Sequence, residues 1–408
     1  MGTDGRRIVG CFKAVILGLC VFSSSNVLVA QDAANDEFAQ WQSSMQDEFI
    51  DYVAQEQKEY AAYKAEVEKQ WQTFVGSTKK DWVEYSEDKS SRSIVDFEKG
   101  EITLEVVIPV DEDEEVVTKK EADEAQKAEL LNAQKAAAEK KKRERLLQAA
   151  RERIKKRLQD MLANKSVNGE SPVEGQVEGL GGRALSEKNV DQFVKKKVEK
   201  KLEVETKPYV AKDGKKRVKA KVKVKMVPEH LQVRANKYKK PVEMFAKKYK
   251  VEPALVYAVI HTESYFNPKA RSHIPAYGLM QLVPSSGGLD AFRYAKGKDK
   301  KPSPNYLYQP ENNIELGVAY LALVGGREFR KVEDDLTRKY LVVAAYNTGA
   351  GNVSRAFEGR RKLRATVDRV NRMTPDDVYH KLVRDLPYEE TRNYIQKVMK
   401  REAIYQGF

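Results

Sequence analysis

The chain has 408 residues, which is enough for two or three domains with a sizeable core. Lys and Arg number 74 against 61 Asp and Glu, so the formal net charge is +13. A balance this basic fits either nucleic acid or a polyanionic cell envelope, and because the sequence contains no nucleic-acid-binding motif, we expect no nucleic-acid partner.

Residues 1–30 are typical of a secretory signal peptide. Basic residues precede a short apolar run from Ala14 to Phe22, and the small residue Ala30 closes the segment. The run is too short to span a bilayer. Cleavage after Ala30 removes both cysteines, Cys11 and Cys20, and predicts a periplasmic chain without disulfides or thiolate metal sites. A lipid anchor at Cys20 is the alternative, which the bulky leucine before it disfavours.

Two patterns follow the signal peptide. From Asp36 to about Phe74, aromatic and aliphatic residues recur every three or four positions amid charges. This predicts one amphipathic helix or a pair, with an aromatic stripe that packs into a core. Ser93–Phe97 and Ile102–Ile108 are predicted strands of a hairpin that turns at Lys99-Gly100.

Residues 119–163 predict a long helix with an apolar stripe on one side and a dense basic face on the other. A solvated surface and an electrostatic contact with anionic glycan or membrane both fit that basic face. The Gly- and Ser-rich stretch 168–182 predicts a flexible loop, and residues 193–202 predict another short helix.

Val218 to Met226 alternates apolar residues with lysines, which predicts a strand with one buried face. The lysine ladder fits either protection of a sheet edge or binding of a polyanion. After Pro228 the pattern is helical as far as Phe408. We therefore predict an α+β chain, with a mixed α and β domain over 31–228 and an all-α domain over 229–408.

Glu263 is the candidate acid of the helical domain. Pro253 fits the first turn of a helix, apolar residues follow with helical spacing, and Asn267-Pro268 stops the helix. Glu263 therefore lies at a helix C-terminus, where the dipole is negative, and its neighbours are apolar. Both features disfavour the carboxylate and raise its pKa, as a general acid near neutral pH requires.

The stretch from Glu263 to Pro284, ESYFNPKARSHIPAYGLMQLVP, resembles the lytic transglycosylase family of goose-type lysozyme fold. That family has E-S-x-F-x-P-x-A-x-S followed by G-L-M-Q-L-x-P. Three more of its motifs follow in the right order: NNIELGVAYLA from Asn312, AYNTGAGNV from Ala345 and LPYEETRNYIQKV from Leu386. Four ordered motifs over about 150 residues are far more specific than one short motif.

The resemblance implies that 229–408 is a lysozyme-like catalytic domain with Glu263 as its catalytic residue, and that the domain over 31–228 has an accessory role. It implies a substrate-binding cleft around the acid, formed by Ser272, Gln281, Val283, Tyr346, Asn347 and Tyr394. At Val283 the family often has a larger apolar residue, which leaves the shape of the cleft floor open. The implied substrate is the peptidoglycan glycan strand, and the implied setting is the cell envelope, with association to the outer membrane as one form of it.

The resemblance also implies cleavage of the MurNAc-GlcNAc β-1,4 bond without water. Glu263 protonates the leaving oxygen and then, as a carboxylate, removes the proton of the muramic acid 6-hydroxyl, which closes a 1,6-anhydro ring. Ordinary glycosidases instead use two carboxylates. In this implied mechanism the N-acetyl group of the substrate stabilises the anomeric carbon.

Two other functions stay open. A hydrolytic muramidase on the same fold needs a second acid to position water, such as Asp290 or Glu311. In a non-catalytic peptidoglycan-binding protein the acid is idle. No cofactor is expected, and no metal either, because the histidines lack the ligand pairing of a metal site: His230, His261, His273 and His380.

Overall fold

The computed structural model describes residues 54, 55, 57–110, 124–163 and 171–408, apart from 172, 174, 182, 206 and 273–275, with the backbone alone for 124–132. The predicted signal peptide and both cysteines lie outside these residues. Residues up to Tyr60 form one compact unit, and Ala61–Phe408 form a second. The described residues of the first unit are helical. Everything below concerns the second unit.

A six-stranded antiparallel sheet forms the first part of this unit. Its strands are β1 (Asp81–Tyr85), β2 (Ser91–Asp96), β3 (Glu101–Pro109), β4 (Glu203–Val204), β5 (Tyr209–Val210) and β6 (Lys216–Lys225). The order is β1-β2-β3-β6-β4, and β5 also pairs with β6. The predicted hairpin is confirmed, with Val95 opposite Ile102 and a turn at Gly100, whose φ of 64° favours glycine.

Strand β6 confirms the predicted alternation, since Val218, Ala220, Val222 and Val224 are buried. The edge-protection interpretation of its lysines is wrong, because β6 has β3 on one side and β4 and β5 on the other. The lysines form ion pairs: Lys219 with Glu205, Lys221 with Glu203 and Lys223 with Glu101. Carboxylates on or next to the neighbouring strands therefore neutralise much of the ladder.

Helices cover the sheet and complete its core. Helix α1 (61–68) buries Val67. Of the predicted aromatic stripe, Trp71 is buried against Tyr85, whereas Tyr60 and Tyr63 are exposed, and the members before Tyr60 lie outside the described residues. Helix α2 (Glu124–Ala163) packs on β2 and β3 with the predicted stripe. Helix α3 (Val190–Phe193), continued by π and 3-10 turns, confirms the next short helix. The described part of the predicted flexible loop is packed, with Ser171, Val173 and Val177 buried.

The helical part begins where the sequence predicts. Its helices are α4 (His230–Lys237), α5 (Lys239–Tyr249), α6 (Pro253–Ser264), α7 (Gly287–Lys296), α8 (Pro304–Leu307), α9 (Pro310–Leu323), α10 (Asp335–Thr348), α11 (Ala350–Glu358), α12 (Leu363–Val370), α13 (Pro375–Asp385) and α14 (Glu389–Glu402). Within the described residues of 229–408 there is no strand, only isolated bridges. The α+β class is confirmed.

Helix α6 is the centre of this helical part. Nearly all of its residues are buried, and they belong to one continuous apolar core shared with α5, α9, α10 and α14. Such a helix is held by tertiary packing, since no polar stripe faces solvent. None of the helices that the structure describes is both long and apolar enough to cross a membrane.

Candidate active site

Glu263 lies in the last turn of α6, as predicted. Pro253 occupies the first turn of the helix. The chain leaves the helix through Tyr265 and Phe266, which are both left-handed, with φ of 51° and 62°. Each such residue costs on the order of 1–3 kcal/mol. The Ser264 hydroxyl donates to a carbonyl oxygen of the following segment at 2.7 Å, which fixes this strained end.

The Glu263 carboxyl group is buried, and only 5% of the residue is exposed. Burial raises the pKa of Glu263 to about 7, from an ordinary 4.5. The charge of Glu390 adds to this rise in pKa, whereas Lys79 and the Tyr394 hydroxyl oppose it. The predicted direction is confirmed, and desolvation is its main cause. Both protonation states are populated at neutral pH, so this group can give and take a proton.

Two tyrosines of the predicted site lie beside this acid. Tyr346 on α10 and Tyr394 on α14 are buried, and burial together with the charge of Glu263 raises the pKa of both phenols well above its ordinary value. Both are therefore neutral donors. Tyr346 donates to the carbonyl oxygen of Met280 at 2.7 Å. The Tyr394 hydroxyl stabilises the Glu263 carboxylate, although the contact falls outside ordinary hydrogen-bond geometry.

The segment 276–284 passes close to the helical core at Gly278. This residue has a φ of 77°, and a β-carbon there would lie 2.3 Å from the carbonyl oxygen of Leu307. Asn313 secures the turn from below: its Oδ1 accepts from the Met280 amide at 2.7 Å, and its Nδ2 donates to the Tyr277 and Leu307 carbonyls at 2.8 and 2.9 Å. Sequence reasoning did not single out Asn313, although it lies in the NNIELGVAYLA motif.

Gln281 does not present its amide in the way the sequence suggested. Its Nε2 donates to the carbonyls of Ala270 and Gly278, both at 3.0 Å, so the donors close the turn. Its Oε1 is buried without a hydrogen bond among the described residues. The amide donors are therefore used within the turn, and the acceptor is buried behind them.

The other predicted substrate-binding residues are spread around the same segment and helices. Ser272 is half-buried, and its amide donates to the carbonyl of Ala276 at 3.3 Å. Val283 is half-buried just after the turn. Asn347 accepts from the Thr391 hydroxyl at 2.7 Å and so links α10 to α14. Of the six predicted substrate-binding residues, Tyr346 and Tyr394 interact electrostatically with Glu263.

Two charged residues beside the acid were not predicted. The Lys79 Nζ lies 3.7 Å from Glu263 Oε2 and 3.8 Å from Glu390 Oε1. Glu390 belongs to the LPYEETRNYIQKV motif, which could have drawn attention to it. Lys79 precedes β1 and lies in no motif, so nothing in the sequence indicated its position.

The two carboxylates considered as second acids do not contact Glu263. Asp290 on α7 lies 3.6 Å from Arg293 and lines a surface groove of about 320 Å³. Tyr320 also lines that groove and packs against Tyr346, with ring centroids 5.4 Å apart, so the groove borders the site. Glu311 is exposed in the first turn of α9, the position where a carboxylate stabilises a helix start.

The described histidines occupy structural positions. His261 Nδ1 lies 3.0 Å from the Tyr405 hydroxyl, and His230 Nδ1 lies 3.1 Å from Arg234. Burial lowers the pKa of His261 to about 3 and that of His230 to about 4, so both rings are neutral. His380 is largely exposed, and His273 lies outside the described residues. The described part of the chain holds no group of three or more potential metal ligands.

Comparison with known proteins identifies two matching segments. Residues 240–368 match the family model of the transglycosylase SLT domain. Residues 49–134 match that of the N-terminal domain of membrane-bound lytic murein transglycosylase C. The two models cover the part of the chain that carries Glu263 and the part that carries Lys79.

Curated relatives bear the same name. Membrane-bound lytic murein transglycosylase C of Salmonella typhimurium is 42% identical over 185 residues, 45% of this chain and 51% of that protein. The protein of that name from Klebsiella pneumoniae is 41% identical over the same shares. The chain thus spans about half the length of the curated relatives it matches.

Solved structures of similar chains include the 70 kDa soluble lytic transglycosylase of Escherichia coli, 25% identical, with a TM-score of 0.32 over 42% of this chain and 24% of that one. An inactive mutant of the lytic transglycosylase Slt from Pseudomonas aeruginosa is 29% identical, with a TM-score of 0.33 over the same shares. The family models and the curated relatives confirm the resemblance that the four motifs predict.

Proposed function

We propose that this chain, which is similar to the lytic murein transglycosylases and to the membrane-bound C type in particular, cleaves the glycan strands of peptidoglycan. The observation that carries the proposal is the buried Glu263 carboxyl group, with a pKa of about 7, at the end of α6 and beside two neutral tyrosines. A general acid needs a pKa of this kind. The scissile bond is the β-1,4 bond between MurNAc and GlcNAc.

The reaction needs only one carboxyl group. Glu263 gives its proton to the glycosidic oxygen as the bond to the muramic acid C1 breaks. The resulting carboxylate then takes the proton from the 6-hydroxyl of the same sugar, whose oxygen bonds to C1. Glu263 ends protonated, and the strand ends in 1,6-anhydro-N-acetylmuramic acid. No metal ion or nucleotide enters this scheme.

The remaining residues serve substrate binding in this proposal. Tyr346 holds the segment 276–284 through Met280, and Gln281 keeps the shape of that segment through its bonds to Ala270 and Gly278. Ser272, Val283 and Asn347 line the cleft around them. We propose the domain boundary that the sequence predicts, with an N-terminal domain of accessory role over 31–228 and a catalytic domain over 229–408.

A hydrolytic muramidase is the second candidate, and Glu390 favours it. Through Lys79, the carboxylates of Glu263 and Glu390 lie no farther apart than about 7.5 Å. Inverting glycosidases separate their carboxyl groups by about 6.5–9.5 Å to hold a water. Here the ammonium group of Lys79 contacts both carboxylates, so Glu390 is engaged in an ion pair, and this favours the transglycosylase.

The products distinguish the two reactions. Purified peptidoglycan digested in heavy-oxygen water should give anhydromuramic ends that are one water lighter than hydrolysed ends and carry no label. Labelled reducing muramic ends from the earliest time points would establish hydrolysis instead. Failure to release any product from purified sacculi would leave the binding-protein alternative.

Glu263→Gln tests the assignment of the acid. The variant keeps the size and hydrogen bonding of the side chain but cannot transfer a proton, so we expect turnover to fall by about 10²–10⁴-fold with the fold unchanged. Glu311→Gln is the matched control, because that carboxylate is exposed at a helix start. An active Glu263→Gln enzyme would make the residue structural.

We place the mature protein at the cell envelope, in the periplasm. The name of the relatives favours a membrane anchor, whereas the sequence around Cys20 favours release after Ala30. An intact mass that begins after Ala30 supports release, and a mass that begins at Cys20 with attached lipid supports the anchor.

A further inference from the structure

The end of α6 is fastened to the sheet through Tyr265. The ring of Tyr265 belongs to the apolar core of the sheet. Its hydroxyl donates to Glu98 at 2.6 Å and accepts from Arg401 at 2.6 Å. Glu98 also accepts from Lys80. This network holds the residues just before β1 against the helix that carries the acid.

The turn before β1 presents Lys79 to that acid. The Thr78 hydroxyl donates to the Asp81 carboxylate at 2.8 Å and accepts from the Asp81 amide at 3.0 Å, which closes the turn. Lys79 lies inside the turn, with its Nζ 3.7 Å from Glu263 and 3.8 Å from Glu390. Its side chain is 36% exposed, so the ammonium group is not built into a core.

We propose, on the basis of the proposed function, that Lys79 is a positioning residue of the reaction that stabilises the Glu263 carboxylate after proton transfer, with Glu390 holding the ammonium group in place. The N-terminal region thus completes the reaction centre. The catalytic segment 229–408 does not contain every group that acts on the acid.

The groups that face Glu263 come from three parts of the chain. Lys79 lies in the turn before β1, Glu390 and Tyr394 lie on α14, and Tyr346 lies on α10. Both tyrosines are neutral, so among the described residues Lys79 and Glu390 are the charges recorded at the acid, and they act in opposite directions.

Proton transfer changes the charge at this cluster twice. When Glu263 gives up its proton, a negative charge appears 3.7 Å from the ammonium group. An opposite charge at this distance favours the carboxylate, and a fixed one costs no reorganisation during the reaction. The later removal of the 6-hydroxyl proton by Glu263 restores the neutral acid, which Glu390 favours.

The dependence of kcat/KM on pH tests the proposal in the full-length protein with soluble peptidoglycan fragments. Activity requires the protonated acid, so it falls as pH rises through the pKa of Glu263. Lys79→Gln should move this alkaline limb to higher pH by about one unit and lower the plateau up to about tenfold. Glu390→Gln should move the limb to lower pH. Lys79→Arg keeps the charge and should keep the limb.

Opposite shifts in the two variants are the signature of charge. A limb that stays at the wild-type pH in Lys79→Gln, or that moves in the same direction in both variants, overturns the proposal, since a loosened interface would not distinguish the sign of the removed charge.

A second measurement does not depend on activity. The carboxyl carbon of Glu263, assigned by its loss in Glu263→Gln, can be titrated by carbon-13 NMR in wild type and in both charge variants. If no form cleaves peptidoglycan, the proposed function fails. The titration then still decides whether Lys79 favours the carboxylate: unchanged midpoints refute it, and opposite shifts support it.

Discussion

Glu263→Gln should stabilise the fold above neutral pH while it removes activity. Burial raises the pKa of Glu263 to about 7 from 4.5, so the folded chain keeps a proton that the unfolded chain releases between these values. At about 1.4 kcal/mol per pH unit, the buried carboxylate costs the fold about 3 kcal/mol. Below pH 4.5 Glu263 is protonated in both the folded and the unfolded chain, and this cost is absent. It grows between pH 4.5 and 7 and is complete above.

Glutamine cannot ionise, so the difference in free energy of unfolding between variant and wild type should be near zero at pH 4 and about 3 kcal/mol at pH 8. Urea denaturation at several pH values measures it. Glu315→Gln is a control of opposite sign: burial raises the pKa of Glu315, but bonds from Lys248 and Lys296 outweigh it and lower the pKa. That variant should lose stability at pH 8. A Glu263→Gln difference that does not change with pH would refute the reasoning.

The other predictions concern the support of the acid. Gly278→Ala should destabilise the fold by several kcal/mol in urea denaturation, since its β-carbon meets the Leu307 carbonyl, whereas Gly297→Ala, left-handed but in open space, should cost about 1 kcal/mol. Equal losses would rule out the clash as the cause. Tyr346→Phe leaves the buried Met280 carbonyl unpaired, so it should cost about 1–3 kcal/mol and lower kcat/KM; unchanged stability would make that bond dispensable.

Local patterns predicted the elements in which one side is buried and the other is not. The β2–β3 hairpin and β6 appear where apolar and polar residues alternate. The helical part begins where the apolar residues take on helical spacing. Strand β1 was missed because four of its five residues are half-buried and only Tyr85 is fully buried, so no alternation distinguishes it. Strands β4 and β5 are two residues long, and their pairing with β6 cannot be inferred from so short a sequence.

The acid could be predicted, but its charged neighbours could not. Glu263 stands in a motif and at a helix end, and both are local features. Lys79 is far away along the chain, and 33% of the residues are charged, so a single lysine carries no signal. Its position depends on how Tyr265 docks on the sheet, which is a tertiary contact. Gln281 is a second case in which the sequence does not predict a tertiary contact. The sequence identified its amide, but not that Nε2 would donate within the turn.

A single carboxyl group that acts first as acid and then as base must have a pKa near the working pH. A pKa far above it gives a poor proton donor, and a pKa far below it leaves the acid ionised before the substrate arrives. If a carboxyl group were fully enclosed in an apolar core, desolvation would raise its pKa and no neighbouring charge would oppose that rise. Glu263 lies instead at the edge of the helical core, where Lys79 and Glu390 reach it from partly exposed positions. The boundary between the sheet and the helices is therefore where the pKa of Glu263 can be tuned, because burial and neighbouring charges act there on the same carboxyl group.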